Sequence, residues 1–230
     1  SGRIEFDASF SVSARAAQNY DAQIEVTKTT SANFDAQAIV FKEDLPPEVA
    51  IIIPPGSISG MQPPYSQYFI GRASGYFGKT ITVARWNFGD FSASVIASQS
   101  GTNLYPVSHP FTGSGFMTVV FSAIDSAGLH NSATRIVSLA SGINPVHITL
   151  SGIPQVGQAA LTVQFRQKYE AIPPGVSVSA SLLNFDDGQN TITLDPLHVY
   201  TEVGFYNPTW LIRDRRGVIW ADSGEPGGDF

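Results

Sequence analysis

The sequence of 230 residues contains no cysteine. Without a thiol, the chain can form neither a disulfide nor a zinc–thiolate site, and a cysteine nucleophile is excluded. Charge is also scarce, because charged residues make up only 14% of the sequence and the formal net charge is −6. The densest basic run, Arg213-Asp214-Arg215-Arg216, is interrupted by an acid. A surface that follows nucleic-acid phosphates is therefore not expected.

Long apolar runs and catalytic signatures are missing as well. No apolar run approaches a membrane span, so we expect no membrane partner. No signal peptide is visible, but the chain opens in mid-pattern at SGRIEF, and we expect residues to precede position 1. There is no Gly-x-Ser-x-Gly, no His-Glu-x-x-His and no phosphate loop. We therefore predict a protein that is not an enzyme and that requires no cofactor.

Helical periodicity is nearly absent, whereas strand-like alternation is common. Apolar and polar residues alternate in stretches such as ASFSVSARA, KTITVARWNF, FMTVVFSAID and ALTVQF. Turn-forming clusters such as PPGSISG, DSAGLHN and DDGQN separate them. With a hydrophobic content of 43%, the chain can build a core. The pattern predicts an all-β protein made of sandwiches or barrels.

The first 45 residues contain an aromatic-Asp-Ala triplet repeated at a spacing of fourteen. Each triplet opens one predicted strand and turn, and such a strand buries a single apolar stripe and is not stable alone. We therefore predict that residues 1–45 are an assembly arm that pairs with other copies of the chain. Matching residues of successive repeats are expected to lie at one level. The predicted assembly residues are Phe6, Asp7, Tyr20, Asp21, Phe34 and Asp35.

The rest of the chain reads as a duplication, with modules at residues 46–142 and 143–230. Prolines at 46 and 47 form a stiff joint before the first module. From the His onwards, every matching element is displaced by 89 residues, and only the loop before the His differs in length. The matching pairs are His109 and His198, Gly115 and Gly204, Asp125 and Asp214, and Gly128 and Gly217.

These motifs resemble those of the PKD (polycystic kidney disease) domain, an immunoglobulin-like β-sandwich. The first module matches the family pattern Trp-x-Phe-Gly-Asp-Gly and His-x-Tyr at Trp86, Phe88, Gly89, Asp90, His109 and Phe111. The second matches it at Phe185, Asp187, Gly188, His198 and Tyr200. The departures are Phe91 for the final Gly, Leu183 for the Trp and Asp186 for the middle Gly. The resemblance implies two tandem immunoglobulin-like sandwiches and is nearly silent on function.

The candidate site residues have both structural and functional interpretations. His109 and His198 could be metal ligands or bases, but their repeated position favours a structural role beside the Asp-bearing turn. We place His130 in a turn, without a partner pattern. Tyr76 and Phe77, between two glycines, are predicted to lie at a loop tip, as a candidate contact surface or as local packing.

Carboxylates near the predicted turns raise the question of calcium. Asp90, Asp186 and Asp187 offer the oxygen ligands that calcium prefers. The Asp-x-[Asp/Asn]-x-[Asp/Asn]-Gly spacing of a dedicated calcium loop is missing. We therefore favour turn chemistry, in which Asp accepts backbone N–H bonds, and expect no metal site.

Two classes of function remain open. The fourteen-residue units resemble repeat arrays of predicted phage structural proteins, which implies a structural or adhesive component of a virion exterior, such as a fibre, tail or capsid decoration. Its partners would be other copies of itself or other virion or surface proteins. The alternative is a glycan-binding accessory region of a secreted or cell-surface protein. In either case we expect the chain on a virion exterior or in an extracellular or cell-surface location.

Overall fold

The computed structural model describes residues 22–28, 34–40, 45–139 and 146–222. Contacts divide the chain into two compact units, Ser1–Asp44 and Leu45–Phe230. The regular elements in the described ranges are β-strands, which confirms the all-β prediction. No helix in these ranges is long and apolar enough to cross a membrane.

In the first unit, two repeats form an antiparallel pair of strands, β1 (Ala22–Lys28) and β2 (Phe34–Val40). Ala22 lies opposite Val40, whereas Ala36, at the matching position of the next repeat, lies opposite Val26. The expectation of one common level is therefore wrong for this pair, because antiparallel strands place matching positions at opposite ends. Phe34 and Asp35 begin β2, while Phe6, Asp7, Tyr20 and Asp21 lie outside the described residues. The assembly role of these six residues stays a prediction.

The second unit begins with an immunoglobulin-like sandwich, called here the first sandwich. One layer has the strand order β3-β5-β8, and in the other β9 lies between β6 and β10, with β7 beside β6 and β4 beside β10. The strands in residues 45–139 are β3 (Glu48–Ile53), β4 (Ile58–Met61), β5 (Tyr65–Ser74), β6 (Ile81–Asn87), β7 (Val95–Ile96), β8 (Leu104–Phe111), β9 (Gly115–Asp125) and β10 (His130–Leu139).

The second sandwich repeats this plan in residues 146–222. One layer has the order β11-β12-β15 and the other the order β14-β13-β16-β17. The strands are β11 (His147–Ile153), β12 (Leu161–Ala171), β13 (Val178–Asn184), β14 (Asn190–Thr191), β15 (Leu197–Tyr200), β16 (Thr209–Asp214) and β17 (Ile219–Asp222). The predicted boundary at 142/143 lies outside the described residues and stays a prediction.

The two sandwiches share one sheet. Ile219 in β17 pairs in parallel with Gly115 in β9, and this contact joins one layer of each sandwich into a nine-stranded sheet. Ile219 is buried and belongs to the hydrophobic core of the first sandwich. A residue of the second sandwich therefore completes the core of the first.

Each sandwich has its own aromatic core because inward-facing residues alternate along its strands. Trp86 is fully buried, and its ring centroid lies 4.5 Å from that of Phe121 and 5.6 Å from that of Phe69. In the second sandwich Leu183 occupies the corresponding position, and a different strand, β16, supplies the buried indole of Trp210. The substitution of Leu for Trp is thus compensated from the neighbouring strand.

Two matching hairpin turns close the sheets. In the first, Asp125 Oδ1 accepts hydrogen bonds from the backbone N–H groups of Ala127 and Leu129, at 2.8 and 3.0 Å. In the second, Asp214 Oδ1 accepts them from Arg216 and Val218 at the same two distances. The 89-residue displacement therefore preserves the turn chemistry as well as the spacing.

Candidate functional site

The first motif site joins a histidine to an acidic turn. His109 Nε2 lies 2.7 Å from Asp90 Oδ2, and the imidazole stacks on Phe88 with ring centroids 3.7 Å apart. Burial raises the pKa of Asp90, but hydrogen bonds from His109 and Ser92 outweigh this effect and hold the pKa below its usual value. The imidazole thus connects the turn to the aromatic core.

The second motif site has the same geometry. His198 Nε2 lies 2.7 Å from Asp187 Oδ2, and the ring stacks on Phe185 at 3.8 Å. Tyr200 meets the His198 ring edge-on, and its hydroxyl donates to the carbonyl oxygen of Phe185 at 3.0 Å. The two histidines occupy equivalent places, and both hold a turn against a core.

The acidic residues considered as calcium ligands do not converge. Asp187 faces His198, whereas the Asp186 carboxylate accepts a hydrogen bond from Asn207 N–H. In the described part of the chain, no group of three or more His, Cys, Asp or Glu side chains could hold a metal ion.

The most unusual site is the junction between the sandwiches, where backbone groups bond across the boundary. His130 N–H donates to the Val203 carbonyl at 2.9 Å, and Phe205 N–H donates back to the His130 carbonyl at 3.1 Å. Elsewhere on the boundary, Ile219 N–H donates to the Ser114 carbonyl at 2.8 Å. Strand-like backbone bonds at two places fix the orientation of one sandwich against the other.

Two matching glycines allow this close approach. A Cβ on Gly204 would overlap the His130 carbonyl, and a Cβ on Gly115 would overlap the backbone of Ile219. Each glycine therefore touches the opposite sandwich, and only a residue without a side chain fits there.

Asp186, one of the departures from the motif, reaches across the same boundary. Its backbone has a positive φ of 68°, as does Gly89 at the matching position, with 65°. Asn207 N–H donates to the Asp186 carboxylate at 2.9 Å, and the side chains of Ser132 and Ser122 in the first sandwich lie close enough to lower its pKa. The Asp side chain therefore anchors the turn of the second sandwich to strands of the first.

This anchor is an ionisable group in a buried place. Burial raises the pKa of Asp186 to about 7, and the neighbouring Asp187 adds to the rise, while the hydrogen bonds to Asp186 oppose it. The carboxyl group of Asp186 is therefore neutral in mildly acid solution and becomes charged near neutrality.

Phe91, the departure in the first sandwich, also lies at the junction. It has a positive φ of 68°, and the guanidinium of Arg213 from the second sandwich lies 4.8 Å from its ring centroid. Gly188, at the matching position, lies against the guanidinium of Arg85 from the first sandwich. The corresponding turns thus both meet an arginine of the opposite sandwich.

His130 completes the junction. The sequence predicted a turn there, but His130 is the first residue of β10 and is only 1% exposed, because loop residues of the second sandwich cover it. Its ring stacks on Tyr206 at 4.2 Å, and Nδ1 lies 2.8 Å from the Phe205 carbonyl oxygen. Burial lowers the pKa of His130, although the bond to Phe205 opposes the change.

The candidate contact surface lies elsewhere. Phe77 is 51% exposed with a positive φ of 60°, and its ring centroid lies 6.1 Å from that of the half-buried Tyr76. The two rings lie at the turn between β5 and β6, as the flanking glycines predicted. Their role as a contact surface stays a prediction.

The sequence predicts a structural role for the motif histidines and turn chemistry for Asp186, but it does not predict the contacts of Asp186 and Phe91 with the opposite sandwich. The available signal was the departure itself, since each replaces a motif glycine in a turn. A bulky or charged residue at a position suited to glycine requires contacts that offset its backbone cost. Those contacts are with the other sandwich, which the sequence alone does not place.

No protein-family model and no curated protein matches the chain. Among solved structures, fibronectin(III)-like modules of CbhA from Clostridium thermocellum are similar over 76% of this chain and 90% of theirs, at 11% identity and a TM-score of 0.30. At that identity and score, the similarity carries no argument about function.

Proposed function

We propose that this chain is a non-enzymatic structural or adhesive component of a virion exterior, in which the N-terminal repeats join copies and the two sandwiches are displayed as one body. The observation that carries the proposal is the junction. Freely linked accessory modules have few contacts across their boundary. Here a continuous sheet, a shared core residue and a buried carboxyl group cross it.

The repeats supply the assembly half of the proposal. The paired strands β1 and β2 are seven residues each, and a two-stranded hairpin of this size is marginal by itself. Pairing with strands of other copies would cover the open edges and bury the apolar stripe. Exact repetition allows identical chains to meet in register.

The two sandwiches are proposed to be divergent PKD-type domains. The matching His–Asp pairs and their stacked Phe rings support this assignment. In such domains the motif residues stabilise the fold, and we assign that role to them here. The place of the chain would be a virion exterior or, failing that, another extracellular surface.

Deletion of residues 1–45 tests the assembly role. We expect the full chain to sediment as an oligomer, and the truncated chain to lose the large assembly while retaining its cooperative thermal transition. If the truncated chain assembles as the full chain does, the arm is not the assembly element. If the full chain is a monomer, the fibre interpretation is wrong.

Glycan binding is the second candidate function, favoured by the exposed ring of Phe77 beside Tyr76. Aromatic rings on a surface can stack on sugars. Titration with a set of oligosaccharides, read by the chemical shifts of these two rings, tests it. Binding that Phe77→Ala abolishes, in a chain that does not oligomerise, would favour this candidate over the first.

A further inference from the structure

Exposed aliphatic residues lie on the outward face of the layer β11-β12-β15 in the second sandwich. Ile153, Gln164 and Leu197 are consecutive partners across β11, β12 and β15, so they share one face of the sheet. Ile153 is 66% exposed and Leu197 is 67% exposed, and Val199, two residues further along β15, is 44% exposed. Sandwich strands normally carry polar residues on this face.

The loop before β15 also carries exposed aliphatic residues. Ile192 and Leu194 are 78% and 57% exposed. Gln164 Nε2 donates to the Asp195 carbonyl at 2.6 Å, and Gln167 N–H donates to the Asp195 carboxylate at 2.7 Å. These bonds hold the loop against β12. We call the exposed side of β15, with Leu197 and Val199, the β15 surface.

The first sandwich serves as an internal reference for this surface. Because His109 matches His198, Ser108 and Pro110 in β8 match Leu197 and Val199 in β15. Proline on an edge strand prevents the addition of another strand, and serine removes the apolar contact. The chain thus blocks this edge in the first sandwich and leaves it apolar in the second.

The edge of β15 is also open. Among the described strands, β15 pairs with β12 alone, so its other side offers backbone N–H and C=O groups. An open edge beside exposed aliphatic residues is suited to strand addition. The four residues of β15 carry no Asp, Glu, Lys or Arg that would oppose an identical strand.

We propose that the β15 surface binds the β15 surface of a second copy of this chain, with the two strands antiparallel about a twofold axis. Such a contact is self-complementary, since each copy contributes the same edge and the same aliphatic residues. A chain of net charge −6 repels its copies, and an uncharged edge is where two of them can meet.

The size of the surface sets the strength of the contact. A fully exposed aliphatic side chain removes roughly 60–120 Å² of apolar surface from water when it is buried. Pairing of the two edges places Leu197 and Val199 of one copy beside those of the other, whereas Ile153 lies two strands away from the edge. These two partly exposed side chains would bury on the order of 100 Å² per copy, against about 800 Å² per partner in a standard interface. The contact is weak by itself and gains strength when an assembly brings copies together. It does not depend on how the N-terminal repeats pair.

Spin labelling tests the contact in the full chain, which has no native cysteine. Thr201→Cys places a label just after β15, and Thr112→Cys places one at the matching position after β8; both residues are exposed. Across an antiparallel pair, the two copies of residue 201 lie within roughly 20 Å of each other, from the strand spacing and rise. We expect a short distance at high protein concentration from Thr201→Cys and none from Thr112→Cys.

The double variant Leu197→Ser with Val199→Pro gives β15 the residues of β8. Pro110 pairs with Ser66 in the register in which Val199 pairs with Thr162, so the fold accommodates proline there. We expect this variant to lose the short distance and keep its melting temperature. The proposal would be overturned if Thr201→Cys gave no short distance, as when a different protein covers the edge. A short distance that persists in the double variant would also overturn it. Deletion of residues 1–45, measured by sedimentation, tests the proposed function separately from this contact.

Discussion

Asp186→Asn is the sharpest test of the junction, because it removes a charge and keeps the shape. Asparagine tolerates a positive φ better than most residues, and its side-chain oxygen can accept the bond from Asn207 N–H. It cannot ionise. Any change that depends on pH therefore reports on the carboxyl group of Asp186.

The magnitude follows from the pKa of Asp186, which burial raises from 3.8 to about 7. A raised pKa means that the folded state favours the neutral acid, so its stabilising contribution is complete below about pH 4 and is lost as pH rises through about 7. Each pKa unit corresponds to about 1.4 kcal/mol. The loss between these limits is thus at most about 4 kcal/mol.

We expect Asp186→Asn to match the parent in stability near pH 4 and to be more stable by a few kcal/mol above pH 7. Urea unfolding across this range, followed by the fluorescence of the buried Trp86, Trp210 and Trp220, measures the difference. The pKa of His130 is lowered, so its contribution to the stability of the protein is lost as pH falls, which is the opposite direction. His130 is present in both proteins, so it does not affect the comparison. Parallel pH profiles for the two proteins would refute the placement of Asp186 in a desolvated junction.

Two further changes test the packing. Trp86→Ala should cost roughly 3–5 kcal/mol of unfolding free energy, as loss of a fully buried aromatic does, and unchanged thermal stability would contradict its core position. Gly204→Ala should cost about 1–3 kcal/mol, because the new Cβ would meet the His130 carbonyl. Gly56→Ala, with open space around the new Cβ, is the matched control, and equal effects of the two would argue against a tight junction.

The fold was predictable because its determinants are local. Asp125 and Asp214 each bond backbone groups two and four residues ahead, so the spacing of Asp and Gly encodes the turn directly. The alternation around Trp86 likewise encodes which face is buried. Because the chain is duplicated, the same pattern occurs twice, and the residues that both copies share identify the motif.

The direction of the repeat strands was not predictable in the same way. Identical repeats are compatible with parallel or antiparallel neighbours, since each strand has the same period of two. A short connection between β1 and β2 permits an antiparallel pair, and the structure has that pair. Loop length was therefore the better guide than the equality of the repeats.

The junction was hidden for a different reason. Its bonds join residues far apart in the chain, such as Ser132 and Asn207, and no local period records them. What the sequence did contain was a pair of exceptions, a Phe and an Asp where the motif has Gly. Both adopt positive φ, and both interact with the opposite sandwich. In this duplicated chain, the two motif positions where one copy has Gly and the other does not therefore both mark where the sandwiches meet, whereas the exchange of Trp86 for Leu183 lies inside the cores.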